Sequence, residues 1–183
     1  SYNVEKAKEL NCDYILTFDQ DSEINEEFIP KMLNFYESKK ESYTKLGAVG
    51  PNIIDKDNGI PNKFFRFNLI TFNICKCNKD FIAPNVLITS GTLYNLSVFK
   101  EIGKFDEDFF IDLVDTEFSL RMDKHGYSQL IDCKNILYHK MGEREKKKFI
   151  KLSLNTKNYN MIRRFYATRN SIFTIKRYFF TKP

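Results

Sequence analysis

Asp19 and Asp21 close a short apolar run, Tyr14-Ile15-Leu16-Thr17-Phe18, with only Gln20 between them. Two carboxylates this close repel each other unless a cation lies between them, so the pair is a candidate site for Mg²⁺ or Mn²⁺. The run suits a buried strand, and open α/β sheets collect ligands at the carboxyl ends of their strands. The same residues would serve equally as a solvated turn that caps the next helix. An EF-hand is excluded, because its glycine position is filled by Ile24 and its bidentate glutamate position by Pro30.

Two more residues stand at element ends. Val114, Phe118 and Met122 recur at helical spacing, which puts Asp115 in the first turn of a helix running to about Lys124. The Phe-rich segment 105–110 lies just before it, so this carboxylate would be rigidly held and partly dry. His139 ends an extended segment over 127–139 and could complete a metal site with the two aspartates. A lone histidine there is also an ordinary surface or packed residue.

Other elements must position these groups. Residues 1–11 read as a helix feeding directly into the strand, which is the second half of a β-α-β unit, so the chain is expected to start mid-fold. Asn25 is the expected N-cap of the next helix, with Glu26 and Glu27 in its first turn and Phe28, Ile29, Met32, Leu33 and Tyr36 at helical spacing. A short strand at 46–51 is expected to end at Gly50-Pro51. Residues 52–80 are polar and irregular, with a turn at Asn58-Gly59 and a Phe-rich hairpin or insertion near 64–72. A second buried strand is expected over 85–94 through Ser90-Gly91, where glycine lets backbone approach a ligand closely. Ser97 is the expected cap of a short helix ended by Ile102-Gly103. Gly126 closes the Asp115 helix, on which Glu117 and Arg121 pair at i,i+4. Strands alternating with helices predict an α/β fold.

Of the chain's 183 residues 42% are hydrophobic, enough for one globular domain with a core. The net charge of +5 hides an asymmetry: residues 140–183 hold 13 Lys+Arg against 2 Asp+Glu, leaving 16 against 22 elsewhere from totals of 29 and 24. An acidic body can hold cations, and a basic tail should meet something anionic or a membrane surface. From Tyr159 onward, apolar and basic residues interleave as one or two amphipathic helices. The natural division is a body at 1–142 and a basic helical segment at 143–183. Cys12, Cys75, Cys77 and Cys133 show no disulfide or zinc framework, so free thiols in a cytosolic protein are expected. No signal peptide or apolar run of membrane-spanning length is visible.

The order of these pieces resembles the family 2 glycosyltransferases of the GT-A fold, close to the rhamnosyltransferases. The pieces are ILTFDQDS, ITSGTLYNLSVFKEIGKFDEDFFIDLVDTEFSLRMDKHGY, LYHKMG and RRFYATRN. The resemblance covers roughly residues 1–180 and is weakest over 52–80. It implies a Rossmann-like mixed sheet flanked by helices and a metal-dependent, inverting transfer of a sugar from a nucleotide-diphosphate donor. Asp19 and Asp21 resemble the DxD pair that binds a divalent metal with the donor's ribose and diphosphate, and Asp115 matches the catalytic base. His139 matches a histidine that binds metal or diphosphate in relatives. Ser90 and Gly91 sit where the family lines the donor sugar, and Arg163 and Arg169 lie in a segment characteristic of rhamnosyltransferases, on the acceptor or membrane side.

The implied partners are a dTDP- or UDP-sugar and a glycan or lipid-linked acceptor in cell-surface polysaccharide synthesis, with the enzyme resting on the cytoplasmic face of a membrane. Family members begin with a strand-helix-strand region that binds the nucleotide base, and this chain lacks it. Two β-α units of ~30 residues each put about 60–90 residues upstream. The chain is thus expected to be a fragment whose open sheet edge favours self-association. A haloacid-dehalogenase-like phosphatase is the main rival, with Asp19 as nucleophile, Asp21 as acid/base and Lys100 or Lys104 holding phosphate. Glu23 departs from that family's first motif. A basic nucleic-acid-binding module is a weaker rival, since residues 140–183 contain no recognisable nucleic-acid motif.

Overall fold

The computed structural model describes residues 2–68, 71–140, 144–149, 152–157 and 160–180. The elements are α1 (Tyr2–Glu9), β1 (Tyr14–Thr17), α2 (Phe28–Lys40), β2 (Leu46–Asp55), β3 (Phe64–Phe67), β4 (Phe72–Cys75), β5 (Phe81–Ile82), β6 (Thr92–Asn95), α3 (Leu96–Glu101), α4 (Val114–Lys124), β7 (Ser128–His139), β8 (Arg144–Phe149), β9 (Leu152–Lys157) and α5 (Met161–Ile175). A 3₁₀ turn precedes α4 at Glu107–Phe109, and a π-helical turn extends α5 over Lys176–Phe180. The proposed division at 142/143 lies outside the described residues.

The main sheet has the order β1-β6-β2-β7-β5. Pairing of β2 with β7 is parallel, while β6 runs antiparallel to β1 and β2, and β5 antiparallel to β7. Side-chain alternation splits the core across the sheet. Ala48, Tyr94 and Ile131 meet Val4, Phe99, Phe118 and Met122 of α1, α3 and α4 on one face. Val49, Leu93 and Leu130 meet Phe28, Met32 and Tyr36 of α2 on the other. The result is the expected α/β architecture, a Rossmann-like mixed sheet flanked by helices.

Several local expectations are corrected. β1 is half-buried at all four positions, because it lies at the sheet edge with β6 as its sheet neighbour. The second helix starts at Phe28, so Glu26 and Glu27 precede it, and Asn25 contributes a backbone carbonyl to the Phe28 amide rather than a side-chain cap. β2 runs through Pro51 to Asp55. Pairing with β6 has already stopped at Val49, and the β2–β7 register shifts just after Pro51, so proline falls where the ladder is interrupted.

Of the expected strand over 85–94 only Thr92–Tyr94 lie in a strand, β6, which ends at Asn95. Upstream, an isolated antiparallel bridge of Val86 with Phe65 is joined by side-chain contacts: Asn85 bonds both the amide and the carbonyl of Phe67, and Ser119 Oγ accepts from the Leu87 amide. Asn95, not Ser97, caps α3 by accepting from the Ser97 amide. The Phe-rich hairpin is present as β3–β4.

The expectation of four free thiols is also overturned. Cys77 and Cys133 are disulfide-bonded, while Cys12 and Cys75 are free. Sequence spacing hides the pairing, since 56 residues separate the two. Pairing of Phe81 with Asp132 brings their strands together, and the register shift of β2–β7 skips residues 133–135, releasing Cys133 from the ladder. The thiol argument for a reducing compartment falls with it. No helix among the described residues is long and apolar enough to cross a membrane. Thiol titration of the denatured, unreduced chain should give two reactive cysteines, rising to four after reduction; four without reductant would contradict the Cys77–Cys133 bond.

Candidate active site

The Asp19–Asp21 turn leaves the end of β1 and is held from behind. Ser90 Oγ accepts from the Asp19 amide at 3.2 Å and shares a 2.6 Å bond with Ser22 Oγ. Ser90 is fully buried, so its hydroxyl is engaged in supporting the turn. Gly91 follows with φ +74°, donating its amide to the Thr17 carbonyl at 2.7 Å. A Cβ there would lie 2.7 Å from both Leu137 Cδ1 and Pro51 Cγ, so only glycine fits between β1, β2 and β7.

His139 arrives from the opposite side. The chain after the turn forms an antiparallel bridge with the end of β7, in which the Glu23 amide donates to the Tyr138 carbonyl at 2.8 Å and the Tyr138 amide to the Glu23 carbonyl at 3.1 Å. His139, the next residue, puts Nδ1 at 3.2 Å from Asp21 Oδ1 and Nε2 at 3.6 Å from Asp19 Oδ2. Despite its closeness to Asp21, Nδ1 is buried and makes no hydrogen bond, because the two groups are not aligned for one.

One ligand atom from each of Asp19, Asp21 and His139 lies within 4.8 Å of the others. Opposite oxygens around an octahedral cation with bonds of ~2.1 Å are ~4.2 Å apart, so the cluster is close to the size a divalent ion requires. Two carboxylates and an imidazole with an unsatisfied nitrogen fit such an ion in charge and in donor type.

Asp115 lies in the first turn of α4, where Oδ1 accepts from the Thr116 amide at 2.8 Å. Burial pushes its carboxyl above the ordinary range. The Thr116 and Asp115 amides pull it back, and the charge of Asp19 adds to the rise, which places the two carboxylates within electrostatic reach.

The segment leading to Asp115 is unusual. Phe110, Asp112 and Leu113 all have positive φ, at 52°, 62° and 62°. Phe110 is the centre of a γ-turn closed from the Ile111 amide to the Phe109 carbonyl. Left-handed backbone costs about 1–2 kcal/mol at a non-glycine residue, so roughly 3–6 kcal/mol must be offset by other contacts.

Those contacts come from α5 and its extension. Arg163 forks onto both carboxylate oxygens of Asp112 at 2.9 Å. Arg169 donates to the Asp108 carbonyl and to Asn170 Oδ1. Arg177 reaches Asp106 and the fully buried Glu117 at 2.9 Å, and the Tyr178 hydroxyl donates to Glu117 at 2.6 Å. Arg163 and Arg169 therefore hold the loop before Asp115. Lys104, one phosphate partner that a phosphatase would need, is paired with Glu5 at 2.8 Å.

No family model matches the chain. Over 190 residues, covering 96% of the chain, it is 29% identical to dTDP-rhamnosyl transferase RfbF of Shigella flexneri. The chain has a glycosyltransferase relative. The match takes in 56% of that protein, so the chain spans about half the length of the curated relative it matches.

Asp19, Asp21 and His139 are thus brought together, Asp115 is in electrostatic reach, and Ser90 and Gly91 brace the turn. Sequence reasoning missed Ser22, Asn170 and Arg177. A signal was available for two of these: Arg163, Asn170 and Arg177 recur every seven residues, which places them in one stripe along a helix. The packing of Gly91 can be tested against Gly59, whose φ of +70° is similar but around which no atom lies within 4 Å. Gly91→Ala should cost about 2–4 kcal/mol in urea unfolding, against about 1–2 kcal/mol for Gly59→Ala. Equal costs would mean that Gly91 is not a packing point.

Proposed function

We propose that the chain is the catalytic part of a metal-dependent, inverting glycosyltransferase that moves a sugar, rhamnose in the first instance, from a nucleoside-diphosphate donor to a glycan acceptor. The observation that carries this reading is the convergence of Asp19, Asp21 and His139 at one end of the sheet, with the raised Asp115 carboxyl in electrostatic reach. The match to a rhamnosyl transferase along nearly the whole chain supports it.

In this reading Asp19, Asp21 and His139 hold Mn²⁺ or Mg²⁺, the imidazole favouring manganese. The bound cation would neutralise the charge on the departing diphosphate. Asp115 accepts the proton of an acceptor hydroxyl as that oxygen bonds to the anomeric carbon. The bond from that carbon to the diphosphate oxygen breaks in the same step, and the configuration inverts. A base of raised proton affinity suits this task, because a carboxylate of ordinary pKa is a weaker proton acceptor.

Met161, Ile162 and Phe165 are exposed on α5, and residues 160–180 contain no acidic side chain. An apolar face flanked by Arg164 and Lys176 suits contact with an anionic membrane carrying a lipid-linked acceptor. The phosphatase reading has no comparable support.

Asp115→Asn should reduce transfer at least ~10³-fold while leaving cation-dependent binding of the nucleoside diphosphate within about twofold. Asp21→Ala should abolish that binding. Because Asp115 must be ionised to act and its pKa is raised, transfer should be low below that pKa and rise through it, at a pH above the ordinary carboxylate range. Normal transfer by Asp115→Asn would refute the base assignment.

A further inference from the structure

We propose that Asn170 is a positioning residue for the reaction centre: by fixing the left-handed loop over residues 109–113 it sets the placement of Asp115. This rests on the transferase reading for the role of Asp115, and on the hydrogen bonding of α5 for everything else.

Asn170 is fully buried. Its Nδ2 lies 2.7 Å from the Phe109 carbonyl oxygen and 2.9 Å from those of Ile111 and Asp112. An amide has two hydrogens, so one is shared, and three carbonyls of the loop converge on one side-chain nitrogen. The other end is oriented independently, since Asn170 Oδ1 accepts from Arg169 Nε at 3.1 Å and Nη2 at 2.9 Å. Arginine can only donate, so the amide oxygen must face Arg169 and the nitrogen must face the loop.

These carbonyls converge because Phe110 and Asp112 have left-handed backbone. Relaxation of that backbone would turn the carbonyls away from Asn170 and shift Leu113, the left-handed residue from which α4 starts. Asp115 is the second residue of α4, so its carboxylate would move with the helix start. Arg163 secures the same loop through Asp112, and Arg177 and Tyr178 hold Glu117, two residues beyond Asp115. One helix face thus grips the chain on both sides of the base. The hydrogen bonds of Asn170 go to loop backbone and to Arg169, so it acts through the loop rather than on substrate.

Hydrogen exchange of the 183-residue chain tests the clamp directly. In Asn170→Ala, the amides of 109–111 should exchange about tenfold faster or more, with the amides of β2 and β7 unchanged. Asn170→Asp has the same size but presents acceptors to three carbonyls, and should loosen the loop at least as much. Asn170→Ser keeps one hydroxyl donor at the site, so its effect should be smaller; it decides the matter if the alanine and aspartate variants do not fold. In sugar transfer, a displaced base should lower kcat about a hundredfold with the donor KM within about twofold.

Unchanged exchange at 109–111 would overturn the clamp. Faster loop exchange with an unchanged kcat would overturn the positioning role. If the wild type transferred no sugar even when joined to the upstream region that the family resemblance implies, the transferase reading would fail, while the exchange comparison on the 183-residue chain would still decide whether Asn170 holds the loop.

Discussion

The candidate site depends on one antiparallel bridge, Glu23 with Tyr138. Two backbone hydrogen bonds tie the chain beyond the Asp19–Asp21 turn to the last residues of β7, and His139 follows directly. β1 alone would be a weak platform, since it has four half-buried residues at the edge of the sheet. β7 is a better one, because it is twelve residues long and pairs with β2 as far as Asp55 and His139. The bridge lends that rigidity to the carboxylate turn, and the Ser90–Ser22 bond secures it from below.

A second constraint works from the C-terminal side. The acidic residues of α4 and the segment before it, and the basic residues of α5 and its π-helical extension, are far apart in the chain, yet they pair in the fold: Arg163 with Asp112, and Arg177 with Asp106 and Glu117. Charge segregation along the sequence is in part an internal complementarity. Glu117 has no exposed surface, and leaving it without its arginine and tyrosine partners would strand a buried charge. These contacts offset the cost of the left-handed loop and so let Asp115 lie where an unstrained chain would not put it.

Much of this was legible in the residues. Periodicity located α2 and α4, the extended segment over 127–139 matched β7, and the strand-end positions of Asp19, Asp21 and His139 marked the groups that meet. Two kinds of feature were not legible. Strand limits depended on neighbours: β2 continues through Pro51 because of where pairing with β6 stops, and residues 85–90 are held by one isolated bridge and by the side chains of Asn85 and Ser119 instead of a continuous ladder. Long-range pairings left no local mark, as with Cys77 and Cys133, whose meeting follows from sheet register. The role of Asn170 lies between these cases, since its heptad relation to Arg163 and Arg177 is visible but its target, a left-handed loop sixty residues earlier, is not.

The claim on which the account rests is that His139 and the two aspartates form one cation site. Electron spin-echo spectroscopy of Mn²⁺ bound to the 183-residue chain reads this most directly, because a coordinated imidazole imposes a nitrogen coupling on the manganese signal. The expected result is bound Mn²⁺ with that coupling in the wild type, and its loss in His139→Ala. Mn²⁺ bound without nitrogen coupling in the wild type, or a coupling that survives in His139→Ala, would contradict the site.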